Sequence, residues 1–329
     1  GQARGASVFF AGLAPRARPM VADAQRIASW FSPQRSAATK DVRFFAEGNG
    51  SPKEQQKELQ TEVELHDEFE LADRIEKGLS REIVTDVMSP VTSDGQKLER
   101  CHVVKSDDSL HHRLFSDSWD FLMYARSSPE ASKVEFFMYD PDESKEHPFD
   151  SSRPAFTMTH SKDQREWRLV QERCDRCHFS PKHQSCASIG KQQVAFSRLL
   201  RRTLDTGTAA RCMEVVVPAL DADGEPVVWC SVLGRGDLAS CPSGGSCEAQ
   251  RLISKCPTWN KEVESLVLEF KGRTILASAK NFQLALPETP DDVVCQYGKI
   301  GPTTFSLDFK RPLSVIQAFA LSTSTMFWS

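Results

Sequence analysis

The chain has 329 residues, 40% of them hydrophobic and 26% charged, with a formal net charge of −4. Such a length holds one large β domain with an extra segment, or two ordinary domains. The near-neutral balance gives no bulk attraction to nucleic acid, so an anion site has to be a local patch. No run of about 18 uncharged apolar residues stands ready to cross a membrane, and the apolar C-terminal segment is interrupted by Ser322, Thr323, Ser324 and Thr325.

The chain starts at Gly1 and not at Met, which points to a missing or processed beginning. Residues 1–40 are rich in Ala, Arg and Ser, with Asp23 as their sole acid. An organelle transit segment has that composition; a disordered basic tail has it too and is the simpler reading. After Gly48-Asn49-Gly50-Ser51-Pro52 the texture turns helical. Leu71, Ile75, Leu79, Ile83 and Val87 recur every fourth residue among glutamates, which predicts an acidic amphipathic helix or helix pair within residues 53–88. Such a stripe packs on the following domain or docks an unidentified protein partner. Residues 1–90 therefore read as an N-terminal extension and residues 91–329 as the folded domain.

Beyond Ser89-Pro90 the sequence breaks into short β-type runs. They are Cys101–Lys105, Trp119–Arg126, Val134–Tyr139, Ala155–His160, Glu166–Glu172, Cys212–Pro218, Pro226–Val232, Val263–Phe270, Thr274–Leu286, Val293–Tyr297 and Thr303–Phe309. Turn residues separate them and no long helices intervene, which argues for an antiparallel sandwich or barrel and against a parallel α/β sheet. The segment from Arg311 to Ser329 is then an anomaly. Pro312 suits a helix first turn, and Leu313, Val315, Ile316, Phe319, Leu321, Met326, Phe327 and Trp328 leave no polar face. A helix apolar on all sides must be enclosed. The economical container is the barrel that the strands close, because closure removes the sheet edges as well.

Ten cysteines without a secretory leader read as reduced thiols in an intracellular protein. The most metal-like spacing is Cys174-x2-Cys177-x5-His183-x2-Cys186, four soft ligands in one short loop. It suits a structural zinc ion; the competing reading is a loop of unpaired thiols. Cys174-x2-Cys177-His178 also has the form of a c-type haem attachment site, for which an intracellular β-barrel is the wrong setting. No cofactor beyond that zinc is expected. Nothing points to an enzyme. His111 and His112 stand near Asp107 and Asp108, but adjacent side chains on a strand point apart. There is no Gly-x-Ser-x-Gly, phosphate-binding glycine loop or His-Glu-x-x-His.

Several motifs resemble those of the tubby-like family. Phe270-Lys271-Gly272-Arg273, Ala277-Ser278 and Lys280-Asn281-Phe282-Gln283 stand as in its first signature, with Thr274, Ile275 and Ala279 as departures. Arg311-Pro312-Leu313-Ser314 and Gln317-Ala318-Phe319-Ala320-Leu321 stand as in its second, whose usual Lys-x-Ala-Cys-Glu ending is absent here. Pro257-Thr258-Trp259-Asn260, Cys295-Gln296-Tyr297-Gly298-Lys299 and Arg211-Cys212-Met213 also fit. The resemblance is strong from about Arg211 to Phe327, traceable from about Leu98, and absent from residues 1–90.

The resemblance implies a closed antiparallel barrel of about twelve strands around a hydrophobic C-terminal helix, mainly β, over residues 91–329. It also implies a non-enzymatic adaptor that binds phosphoinositides, chiefly phosphatidylinositol 4,5-bisphosphate, and so sits in the cytoplasm on the inner face of the plasma membrane. The family's cradle is a strand with a Lys and an Arg two residues apart, on one face by strand period. Placing that strand at Trp167–Cys174 puts Gln171 where the Lys stands and Arg173 where the Arg stands, while a further family Arg falls on Arg211. Arg168, Arg201 and Arg202 are candidates to supplement the patch. Loss of the Lys leaves two alternatives: a protein-interaction scaffold without a lipid site, or a scramblase-like barrel whose last helix meets the membrane.

Overall fold

In the computed structural model, residues 84, 86–91, 97–128, 132–138, 154–171, 191–204, 207, 209–230, 235–241, 248–260, 265–270 and 272–328 are described. The basic tail over 1–40, nearly all of the acidic stripe, Arg173, and the four candidate zinc ligands Cys174, Cys177, His183 and Cys186 lie outside the described residues.

Twelve strands close into an antiparallel barrel. In chain order they are β1 (Glu99–Lys105), β2 (His111–Ser116), β3 (Phe121–Ser128), β4 (Lys133–Phe137), β5 (Phe156–His160), β6 (Glu166–Gln171), β7 (Gln192–Thr203), β8 (Ala209–Pro218) and β9 (Ala249–Ser254). A separate small hairpin, β10 (Thr258–Asn260) and β11 (Ser265–Val267), precedes β12 (Phe282–Leu286), β13 (Thr289–Lys299) and β14 (Thr304–Phe309). β14 pairs with β1, with Phe309 opposite Glu99 and Thr304 opposite Val104, and that pairing shuts the ring.

Alternation decides which side chains enter the lumen. Cys101 and Val103 of β1, Met158 and Phe156 of β5, Trp167 and Leu169 of β6, Met213, Val215 and Val217 of β8, and Tyr297 and Cys295 of β13 belong to one buried core. Several strands hide from a sequence reading because their other face carries charge. His111-His112-Arg113 of β2 and Arg198, Arg201 and Arg202 of β7 look like loop residues until half of them face outward. Conversely, the described part of the expected Pro226–Val232 run, residues 226–230, forms isolated bridges, Leu220 to Pro226 and Gln193 to Trp229. There Trp229 packs outside the barrel with Phe196, Val216 and Leu238.

The C-terminal helix, α1 (Val315–Ser324), has all ten residues buried. Its N-cap is Ser314, in a reciprocal capping box with Gln317. Pro312 therefore precedes the helix and does not open its first turn; its peptide bond to Arg311 is cis. Gln317 also donates to the Val194 carbonyl at 3.0 Å, tying the helix to β7. The four hydroxyls that looked out of place each donate to a carbonyl three residues back: Ser322 to Phe319 at 2.7 Å, Thr323 to Ala320 at 2.8 Å, Ser324 to Leu321 at 2.7 Å and Thr325 to Ser322 at 2.7 Å. A polar group so satisfied can be buried without a large penalty. No helix among the described residues is long and apolar enough to cross a membrane.

Of the thiols, those of Cys101, Cys212, Cys256 and Cys295 are free, as the reduced reading expects, whereas Cys241 is disulfide-bonded.

Phe319 is fully buried and meets Phe136 edge-on with ring centroids 5.6 Å apart. Phe319→Ala is expected to cost about 3–5 kcal/mol of unfolding free energy, read as a lower urea midpoint at unchanged slope. A loss within the noise of the extrapolation would mean that the helix is not what the barrel closes on.

Candidate functional site

The antiparallel order gathers the ends of β1, β3, β5, β7, β9 and β13 at one rim, with the starts of β2, β4, β6, β8, β12 and β14. α1 leaves β14 at the opposite rim and runs through the lumen. Its continuation reaches this rim, where Phe327 packs on His160 and Trp167, and Trp328 on Phe282. It is termed the C-terminal rim below.

Two of the expected arginines meet there. Arg201 of β7 stands directly opposite Arg211 of β8. Arg201 continues the alternation of Leu199, and Arg211 that of Met213 and Val215, so both leave the lumen-side face just past the last core residue. Directly opposed residues hold their Cβ atoms about 5 Å apart, and like charges in that position repel. On the Arg201 side lies a pocket of about 350 Å³, lined by Asp163, Gln164, Arg165, Leu199, Leu200, Arg201 and Phe327. Asp163 accepts from Ser161 Oγ and from the Arg165 amide at 3.3 Å and puts one negative charge on the same wall. Those bonds hold its carboxyl below the usual range.

Arg168, Arg202 and Gln171 do not join this pair. Arg168 and Arg202 point to the outer face. Arg168 donates to Asp237 through Nε at 3.3 Å and Nη2 at 3.1 Å, lies 3.6 Å from Glu166, and covers the Phe196 ring. Arg202 places Nη1 4.0 Å from Cys256 Sγ. Gln171 ends β6 at the rim opposite the arginine pair, buried between Phe156 and Gln192, on the same face as Trp167 and Leu169. The six residues of strand from Glu166 to Gln171 span roughly 17 Å. Arg165 and Phe327, which line the pocket, were not among the expected residues. Arg165 sits in the β5–β6 turn, and only its position one residue before a strand start hints at a rim.

Comparison with known proteins places the fold. Residues 88–326 match the Tub family. The chain belongs to that family. It is 36% identical over 118 residues to Tubby protein homolog 1 of Caenorhabditis briggsae, a match covering 34% of this chain and 28% of that protein. It is 40% identical over 116 residues to Protein king tubby 2 of Aedes aegypti, covering 35% and 28% respectively. With Tubby-related protein 2 of Mus musculus it shares 34% identity over 116 residues, 35% of this chain and 21% of the relative. The matched stretch is thus well under a third of each relative's length.

The Tub motifs acquire structural explanations in this chain. Arg273 donates to both carboxylate oxygens of buried Asp308, at 3.2 and 2.8 Å. Gln296 donates to the same carboxylate at 2.8 Å. Gln283 joins that set, donating to the Glu269 carbonyl at 2.9 Å. The network sits on the outer face of β12–β14 and ties Glu269 and Arg273 to the sheet.

Among the described residues no group of three or more His, Cys, Asp or Glu is placed to hold a metal ion. One titratable group near the rim is unusual. His112 of β2 is buried, with Nδ1 lacking a partner. Burial first, and then the charges of Lys280, Lys105 and His111, push its pKa down to about 3. The folded barrel therefore keeps it neutral, while the unfolded chain protonates it near pH 6.5. As pH falls from about 6.5 toward 3 the unfolded state binds the extra proton, so stability drops by up to about 1.4 kcal/mol per pH unit. Between pH 7 and pH 5 the protein should lose about 2 kcal/mol more than a His112→Gln variant does. Equal losses in chemical denaturation at the two pH values would place the origin elsewhere.

Proposed function

We propose that this Tub barrel is a non-enzymatic adaptor that binds a phosphoinositide headgroup at the C-terminal rim. In this reading the protein lies in the cytoplasm, tethered to the inner face of the plasma membrane. The observation that carries the proposal is the register pair Arg201–Arg211. Two guanidinium groups held opposite each other repel until an anion comes between them, and each can take a phosphate through paired N–H donors. Arg165 adds a third positive charge at the pocket wall, and Phe327 gives an apolar floor suited to a ring. Phosphatidylinositol 4,5-bisphosphate, with adjacent phosphates on one ring, fits that spacing of cations. Residues 53–88 serve in this proposal as the segment that recruits a protein partner.

One observation favours the scaffold alternative. Gln171 is buried and Arg168 is occupied by Asp237 and Glu166, so among the described residues the lipid reading rests on the Arg201–Arg211 side of the site. Flotation with phosphatidylcholine vesicles, with and without phosphatidylinositol 4,5-bisphosphate, separates the two. The wild type should float with the phosphoinositide vesicles, and Arg201→Ala with Arg211→Ala should cut the affinity at least about tenfold, the scale of losing two charge-assisted phosphate contacts. Indifference of the wild type to the phosphoinositide would leave the scaffold reading standing.

A structural zinc ion held by Cys174, Cys177, His183 and Cys186 belongs to the same proposal, since it would stiffen the connection between β6 and β7. Native mass spectrometry should find one zinc per chain and none after Cys174→Ser with Cys177→Ser; a zinc-free wild type purified without chelator rules it out.

A further inference from the structure

The motif Lys280-Asn281-Phe282-Gln283 contains one residue that the fold does not use. Asn281 accepts the Lys299 amide at 2.9 Å and donates to the Leu276 carbonyl at 2.9 Å. Phe282 is buried against Tyr297 and Trp328, and Gln283 belongs to the outer network. Lys280 is half-buried, and among the described residues its side chain has no hydrogen bond or ion pair. Its strongest electrostatic neighbours are two more lysines, Lys105 and Lys299, whose charges add to burial in lowering its pKa.

Register shows why the three come together. Lys105 follows Cys101 and Val103 on the lumen side of β1, and Lys299 follows Cys295 and Tyr297 on the lumen side of β13. Both strands end at the C-terminal rim with only β14 between them. Lys280 stands two residues before Phe282, at the entry to β12, beside the end of β13. Lys105 Nζ donates to Ser109 Oγ at 3.0 Å, which holds that ammonium group at the rim. Opposite Lys105 in register is buried His112, kept neutral, with its unpartnered Nδ1. The carboxylate in reach is Asp108, and it is engaged by Ser106 Oγ and the Leu110 amide, 4.0 Å from His111. In a chain of net charge −4, two lysines beside a neutral imidazole, with a third beside Lys280, are not a consequence of bulk composition.

We propose that Lys105, Lys280 and Lys299 form a second anion site that takes a phosphate group, on the β1/β12/β13 side of the rim. Partly desolvated ammonium groups that repel one another are stabilised by a multiply charged anion, and Lys binds phosphate as a point charge that needs no fixed fork. The site is built from other strands than the Arg201–Arg211 pair and does not depend on the phosphoinositide reading. The phosphate belongs either to a lipid headgroup, since the rim is shared, or to a soluble phosphate compound.

The test uses pyrophosphate titrated into the full chain at low salt, where screening is weakest, while NMR follows the His112 ring. A saturable His112 shift is expected in the wild type and in Arg201→Ala/Arg211→Ala. In Lys280→Gln/Lys299→Gln the affinity should fall about tenfold or more. Lys280→Gln alone serves if the double variant does not fold. No saturable shift in the wild type, or one undiminished by the lysine substitutions, overturns the site. Flotation on phosphatidylcholine vesicles containing phosphatidic acid then assigns the source. Flotation lost with the lysines identifies a lipid phosphate; flotation unchanged, with the pyrophosphate shift lost, identifies a soluble one.

Discussion

A sheet of twelve strands closed on itself has a lumen too wide for its own side chains to fill, since about eight strands is the limit for that, and α1 supplies the missing volume. Each fully buried Leu, Ile or Phe on the helix contributes roughly 1.5–3 kcal/mol, against about 1 kcal/mol for the Ser314 cap. Packing therefore holds the helix, and capping sets where it starts. The dependence runs both ways. Without the barrel, a helix with ten buried residues has no solvent-compatible face, and without the helix the inward-facing Phe136, Leu307 and Val215 border a void.

Polar groups inside this arrangement are tolerated because they are paired. The hydroxyls of Ser322 to Thr325 turn back onto their own helix, and Gln317 reaches the β7 backbone. On the outer face, buried Asp308 accepts from Arg273 and Gln296. Breaking such a pair leaves an uncompensated charge, which is why one partner is worth more to the fold than the pair as a whole. Arg273, Gln283 and the Gln317–Leu321 run thus serve the covering of the sheet and the filling of the lumen.

What the fold leaves uncommitted collects at the C-terminal rim. Alternation carries lumen-facing positions outward until there is no core left to meet, and there the side chains become Arg201, Arg211, Lys105 and Lys299. A rim of a closed barrel is where inward-facing positions regain solvent, so cations of distant sequence positions arrive on one surface without facing each other through the core.

Much of the architecture was legible in the sequence. Short β-type runs without long helices specified antiparallel strands, and a helix apolar on all sides required a container, because backbone and side chains obey the same periodicities in any context. The sequence missed β2, β7, β9 and the short β10, since His111, Arg113, Arg198, Arg202 and Arg251 occupy faces whose exposure only the sheet decides. It also placed Pro312 inside the helix, where Ser314 in fact caps it. The site was less legible. Type and number of cations could be counted, but Arg168 and Gln171 were grouped with Arg201 and Arg211, which lie on another face or at another rim. Period two assigns a face within one strand. Which strands share a rim, and which charges there find a partner, depends on closure and register, and those are set by contacts between residues far apart in the chain.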